Sequence, residues 1–377
     1  DISRILNENS LQTMASMYSS SNIKMEPILN GFFYLFSYDY ASVLIEHKMI
    51  LLLHIFEGYG YETSAFQTTP EPDSAKNEAK RAALDGFDLI IAAGGDGTIN
   101  EVVNGIAPLE KRPKMAIIPT GTTNDYARAL KIPRGNPVEA AKIIGKKQTI
   151  LMDIGLAKNK KNGTQQEHYF INIAAAGTLT ELTYSVPSQL KTMFGYLAYV
   201  VKGAELLPRV QFTPVRVKHD QGVFEGSVSL IFVALTNSIG GFEQIVPDAK
   251  LDDGNFTLLM VKTGNLFEIL LLIRQVLDGG KHIGSKLIEY IKTKSLTIEN
   301  LQSTNRLMIN LDGEFGGDAP VELENLANHI EFFADTDLVS DDAITLDMDQ
   351  INREKMAKRF IEESDHMDET IKDETIK

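Results

Sequence analysis

The chain has 377 residues, 43% of them hydrophobic and 23% charged, with no Cys and a formal charge of −14. This length suits two domains, and this apolar content can fill a core, which excludes a largely disordered chain. Between Asp335 and Lys377, 14 Asp and Glu face 6 Lys and Arg, a net of −8, so the first 334 residues carry only −6; a weakly acidic body excludes a general nucleic-acid binder, whose phosphate contacts need a basic surface.

In chain order, residues 32–56 form the longest apolar stretch, broken by Asp39 and by Glu46-His47-Lys48. Its last uncharged run, 49–53, is far short of the ~20 residues that span a bilayer, so no transmembrane helix is predicted. The start has neither a basic n-region nor a small-residue cleavage site, so no secretory signal is predicted either. From residue 54 to 144, helical and buried-strand patterns alternate. A helix over 73–84 opens at a Pro-Asp cap, and the uninterrupted apolar run 89–93 reads as a parallel strand covered on both faces. A helix from Thr98, a short strand 115–118 and a helix from Asp125 complete a βαβα rhythm, hence a doubly wound α/β sheet.

After residue 148 strands dominate: 169–174, 214–218, 223–235, 256–261, 295–299, 306–311 and 329–333, with His219-Asp220-Gln221-Gly222 as a hairpin turn. Helices are predicted at 192–207 and 266–278. The organisation is then an N-terminal segment 1–53, an α/β nucleotide-binding domain 54–147, a β-sandwich-like domain 148–334 and an acidic tail 335–377. The tail could hold one amphipathic helix, 349–363.

Four clusters carry chemistry. Gly94-Gly95-Asp96-Gly97-Thr98-Ile99-Asn100-Glu101-Val102-Val103-Asn104-Gly105 follows a buried strand and opens a helix, so its glycines let backbone amides approach a phosphate at the positive helix end. In that helix Ile99, Val102, Val103 and Ile106 face the core, leaving Asn100, Glu101 and Asn104 on a polar face beside the loop. Pro119-Thr120-Gly121-Thr122-Thr123-Asn124-Asp125 repeats the strand-loop-helix arrangement, with Asp125 read as the cap. Val246-Pro247-Asp248-Ala249-Lys250-Leu251-Asp252-Asp253-Gly254-Asn255 is either a plain hairpin turn or an oxygen-rich site for a hard cation such as Mg²⁺. Asn310-Leu311-Asp312-Gly313-Glu314 ends a strand in a turn that exposes a carboxylate. No Cys and no His pair at i, i+4 leave little ground for a zinc site.

The first cluster resembles the GGDGTxNEVxNG signature of the diacylglycerol kinase catalytic domain, shared more loosely with sphingosine and NAD kinases, and the resemblance extends over about 54–334. It implies a lipid kinase, with ATP and Mg²⁺ as cofactors and the active site in the cleft between the two domains. By resemblance, Asp96 takes part in phosphoryl transfer, and the nucleotide is held by Thr68, Gly95, Asp96, Gly97, Thr98, Ile99, Asn100, Glu101 and Thr122. A structural Mg²⁺ is implied on Asp253 and the carbonyls of Lys250 and Asn255, with Asp252 in a charged network reaching toward the catalytic site. Glu314 is implied as the base that takes the lipid hydroxyl proton.

Family members begin with a short strand and an Asn-Pro-x-Ser/Ala-Gly phosphate loop; this chain has no such motif, its only Asn-Pro being Asn136-Pro137 before Val138. A first strand is therefore not predicted. The expected substrate is diacylglycerol, made into phosphatidic acid in phospholipid synthesis, with a sphingoid base or ceramide, or lipid or nucleotide binding without catalysis, as the alternatives. A cytoplasmic location, peripheral to the inner face of the membrane, and a homodimer are further expectations. The segment 188–209, with Leu190, Met193, Phe194 and Leu197 near Lys191, Lys202 and Arg209, reads as a packed helix or as a membrane contact.

Overall fold

Four parallel strands and their crossover helices build the first half of the chain. The protein is seen in a computed structural model that describes residues 32–36, 49–161, 163–177, 212–238, 245–246, 248–264, 268, 271–272, 275, 281–302 and 306–341. Strand β1 is Phe32–Phe36, helix α1 Met49–Gly58, strand β2 Thr63–Gln67, helix α2 Ser74–Leu84, strand β3 Leu89–Gly94, helix α3 Asp96–Ile106 and strand β4 Lys114–Pro119. The order across the sheet is β2-β1-β3-β4, all parallel. The chain passes from β1 to β2 on one side and then crosses to β3 on the other, so the strand order reverses between β1 and β3. In open α/β sheets ligands bind outside the carboxyl ends of the strands at such a switch point.

The expectation of no first strand is corrected. Phe32–Phe36 fills the central position, with Tyr34 level with Ala65 on β2 and Ile91 on β3. The five apolar residues Phe-Phe-Tyr-Leu-Phe suit a strand covered on both faces even though the loop motif is missing. The apolar stretch 32–56 thus resolves into a strand and a helix whose Leu52 and Phe56 are fully buried.

Helix α4, Asp125–Ala129, and helix α5, Pro137–Gly145, follow. The second half consists of β5 Thr149–Lys161, β6 Thr164–Phe170, β7 Ile173–Gly177, β8 Thr213–His219, β9 Gly222–Ala234, β10 Phe256–Lys262, β11 Ile288–Thr293, β12 Ser295–Asn300, β13 Met308–Leu311, β14 Glu314–Asp318 and β15 Val321–Phe333, with helix α6 Thr336–Asp341 after them. The hairpin at 219–222 is present, His219 facing Gly222. The predicted strand 169–174 is broken in two at Ile171-Asn172, because those amides turn inward to a carboxylate described below. The predicted helices 192–207 and 349–363, the segment 188–209, and most of 266–278 lie outside the described residues.

Strand β15 joins the halves. Its first part pairs antiparallel with β12 and β5, and its last part pairs antiparallel with β5 and parallel with β4, Phe332 level with Met115. Two cores flank this seam. One packs Ile99, Val102, Val103 and Ile106 of α3 with β3 and β4 and takes in Met152, Ile154, Ile330 and Phe332 from the second half. The other fills the sandwich around stacked Phe170 and Phe256, ring centroids 5.7 Å apart.

Two predicted caps are replaced. Asp73 sits before α2 in the left-handed region, φ 62°, where its side chain caps nothing; the amide of Ala75 is instead taken by Glu101 Oε2 at 2.9 Å. Before α4 the cap position belongs to Asn124, also left-handed at φ 50°, and Asp125 faces inward.

Candidate active site

The carboxyl ends of β3 and β4 carry the two glycine loops, which lie back to back. The amide of Thr120 donates to Gly94 O at 3.0 Å, and a β-carbon on Gly121 would come 2.5 Å from Gly95 Cα and 2.9 Å from Asn124 Oδ1. Only glycine allows that approach. Asn124 closes the second loop on itself, Oδ1 accepting from the Gly121 amide at 3.0 Å and Nδ2 donating to Gly121 O at 2.5 Å. The apolar face of α3 fixes the first loop, since Ile99, Val102, Val103 and Ile106 are fully buried.

Asp96 opens α3 at the positive end of the helix. One of its oxygens, Oδ1, is sealed from solvent without a hydrogen-bond partner. Its pKa is pushed up from 3.8 to about 6, chiefly by burial, with the charges of Asp125 and Asp312 adding to the rise and the backbone amides of Tyr126 and Asn124 opposing it. Asp125 accepts from Ser238 Oγ at 2.8 Å in a buried contact, so the second loop is tied to the end of β9. Thr236 and Asn172 bond each other beneath it.

Asp312 gathers four donors. Its oxygens accept from the amides of Ile171 at 2.7 Å, Asn172 at 2.9 Å and Ile173 at 2.8 Å, and from Asn100 Nδ2 at 2.8 Å. Burial raises its pKa, with those donors pulling the other way. Asp312 and Gly313 both have positive φ, 51° and 99°, and this turn delivers Glu314 as the exposed first residue of β14. Asp96 thus feels the charges of Asp125 and Asp312, and Glu314 follows two residues after Asp312.

The polar face of α3 ties together the elements around it. Asn104 exchanges hydrogen bonds with the backbone of Tyr169, Nδ2 to O at 2.8 Å and N to Oδ1 at 2.9 Å, while Asn100 is committed to Asp312 and Tyr169 O. Glu101 caps α2. These side chains seal the two halves and the neighbouring helix. Among the other residues assigned to the nucleotide by resemblance, Gly97 and Thr122 are exposed, Gly95 and Thr98 half-buried, Thr68 buried just beyond β2, and Ile99 fully buried with its amide on Gly95 O at 3.2 Å.

The 248–255 turn forms a second cluster. Asp153, almost wholly buried, accepts from the amides of Gly254 at 2.6 Å and Asn328 at 2.9 Å, tying the turn to β15. Asp253 accepts the Asn255 amide at 2.8 Å, and its Oδ2 lies 3.6 Å from Lys292 Nζ. Among the described residues no three His, Asp or Glu are grouped to hold a metal. One carboxylate with the carbonyls of Lys250 and Asn255 nevertheless fits a hard cation in kind, water completing the shell. Asp252 is exposed and lines a 320 Å³ cavity with Lys131, Asn237 and Lys250, next to Ser238 and hence to Asp125. The buried, hydrogen-bonded roles of Asp312, Asp125 and Asp153 have no local signature; an Asp beside Gly or Asn reads as a turn residue until its partners are seen.

A parallel α/β half, a β-sandwich half and strand-end loops at their seam define a two-lobed fold. A solved yeast NADH kinase complexed with NADH shares it, with a TM-score of 0.50 at 12% identity over 84% of this chain and 87% of that one. Residues 45–157 match the family described as the diacylglycerol kinase catalytic domain, and 177–334 match the YegS C-terminal NAD kinase beta sandwich-like domain. The chain is 49% identical over 287 residues to a diacylglycerol kinase of Bacillus subtilis (strain 168), covering 76% of this chain and 90% of that one. It is 45% identical over 291 residues to one of Staphylococcus aureus (strain Newman), covering 77% and 88%. A diacylglycerol kinase crystal structure from Bacillus anthracis str. Sterne superposes with a TM-score of 0.61 at 25% identity, covering 82% and 98%. The chain belongs to the diacylglycerol kinase family and is a lipid kinase. No helix among the described residues is long and apolar enough to cross a membrane.

Proposed function

We propose that the chain transfers the γ-phosphoryl group of ATP to the hydroxyl of diacylglycerol, giving phosphatidic acid and ADP at the membrane surface. The observation that carries this reading is the pair of back-to-back glycine loops at the carboxyl ends of β3 and β4, with α3, which Asp96 opens, joined through Asn100 and Asp312 to the turn that bears Glu314. The unsatisfied first-turn amides of α3 suit the nucleotide phosphates, with Gly95, Gly97, Thr98 and Thr122 around them and Thr68 nearby. Sealed Asp96 Oδ1 lacks a positive partner, which suits the Mg²⁺ that travels with ATP and neutralises charge on its phosphates. A structural Mg²⁺ would be held by Asp253 and the carbonyls of Lys250 and Asn255, with the Lys292 ammonium competing for Asp253 and Asp252 next in the chain.

Glu314 takes the proton of the lipid hydroxyl as that oxygen forms its bond to the γ-phosphorus; the β–γ bridging bond breaks and ADP leaves with the electron pair. Relatives named diacylglycerol kinase favour diacylglycerol over a sphingoid base or ceramide. The test offers labelled ATP with each of the three lipids in mixed micelles. Labelled phosphatidic acid is expected, and Glu314→Gln should lower kcat by about 10²- to 10⁴-fold with little change in KM. An unchanged kcat would reassign the base.

A further inference from the structure

We infer that Asn100 and Asp312 are positioning residues whose hydrogen bond across the seam holds the 312–314 turn, and with it Glu314, in register with the Asp96 loop. The inference rests on the reading of Glu314 as the base. Asn100 lies four residues after Asp96, on the same face of α3 and about 6 Å along its axis. Its Nδ2 reaches Asp312 Oδ2 at 2.8 Å, from a helix of one half to a turn of the other.

Among the described residues, the other hydrogen bonds of Asp312 and Gly313 stay within their own half. Asp312 accepts three amides from residues 171–173, its own amide donates to Ile173 O at 2.9 Å, and Gly313 N donates to Asn310 Oδ1 at 2.9 Å. Those bonds shape the turn but do not relate it to α3. Asn104 already closes α3 onto β6 with two bonds to the Tyr169 backbone. The additional contact from Asn100 therefore adds alignment between the two catalytic loops more than it adds to the seam. Misplacing a reacting group by about 1 Å can cost about 10²-fold in rate.

The test measures kcat and KM for both substrates in the full chain for wild type, Asn100→Ala, Asn104→Ala, Glu314→Gln and the Asn100→Ala/Glu314→Gln double variant. Asn100→Ala should lower kcat about 10- to 100-fold with KM for ATP unchanged, and should slow the enzyme no further once Glu314 is Gln. Asn104→Ala should lower the melting temperature with a smaller change in kcat. An unchanged kcat in Glu314→Gln overturns the base reading, whatever Asn100 does. With that reading standing, three results overturn the positioning inference: a normal kcat in Asn100→Ala, a raised KM for ATP with kcat kept, or losses that multiply in the double variant. Should Asn100→Ala fail to fold, Asn100→Gln keeps the amide and displaces it by one methylene, and the same outcomes apply.

Discussion

Gly95 and Gly121 touch through their backbones, and the contact is asymmetric. A β-carbon on Gly121 would lie 2.5 Å from Gly95 Cα, whereas one on Gly95 would lie 3.4 Å from Gly121 Cα. Gly121→Ala should therefore cost about 1–3 kcal/mol, as overpacking does, and depress kcat by moving both loops. Gly95→Ala should cost less. Urea unfolding of the two variants checks the ranking; equal costs would mean that the loops separate freely.

Asp96 should be a site where charge opposes stability. Its folded pKa of about 6 lies above its ordinary 3.8, so the folded state holds more protons between those values and stability falls as pH rises through that window. At pH 7.5 the whole cost is present. Asp96→Asn should then raise stability at pH 7.5 by about 1–3 kcal/mol while abolishing transfer, the upper figure being two pKa units at 1.36 kcal/mol each. Denaturant melts at pH 7.5 and 4.5 decide it, since a gain from lost charge must shrink at the lower pH.

Strand β1 should be indispensable to the parallel sheet. Its position between β2 and β3 places a backbone ladder on both sides of Tyr34. Tyr34→Pro removes a donor and constrains the chain in a central strand, at a cost of about 3 kcal/mol or more. Circular dichroism melts should show the loss; an unshifted midpoint would mean that β1 contributes no pairing.

Mg²⁺ should raise the melting temperature of the wild type above its value in EDTA, because a cation bound only by the folded turn stabilises it by mass action. Asp253→Ala should lose that increment. Lys292→Met should enlarge it, since the ammonium 3.6 Å from Asp253 Oδ2 competes for the same charge. Equal increments in all three proteins would place the metal elsewhere.

What was legible in the sequence was the part governed by local pattern. The run Leu89 to Ala93 reads as a strand covered on both faces, and all of β3 is buried as expected. Strands β5 and β15 went unread, except for the end of β15. Lys158, Asn159 and Lys160 in one, and Glu322, Glu324 and Asn325 in the other, look like loop composition until the cross-strand pairing of Lys158 Nζ with Glu324 Oε2 at 2.7 Å is seen. In the site, glycine spacing announced a loop between a buried strand and a helix, and β3 and α3 flank it. The partners of Asn100 and Asn104 are 212 and 65 residues away, and no local pattern encodes so distant a contact.

The seam is spanned by a continuous strand in place of a flexible connection. β15 carries the chain from Val321 in the sandwich to Phe332 against β4, and Lys114 with Glu331 at 2.7 Å and Arg112 with His329 O at 2.7 Å fasten its far end. A hinge needs a few residues free to change φ and ψ, and β15 confines them to a bulge between Leu326 and Ile330, where its register against β5 shifts and Asn328 has φ 51°. Any opening of the two halves at this boundary must therefore flex that bulge while the ladders on either side of it stay paired. The paired parts of β15 still couple the two halves: unfolding either one strips hydrogen bonds from a strand shared with the other, so amide protons in those parts should be among the slowest to exchange.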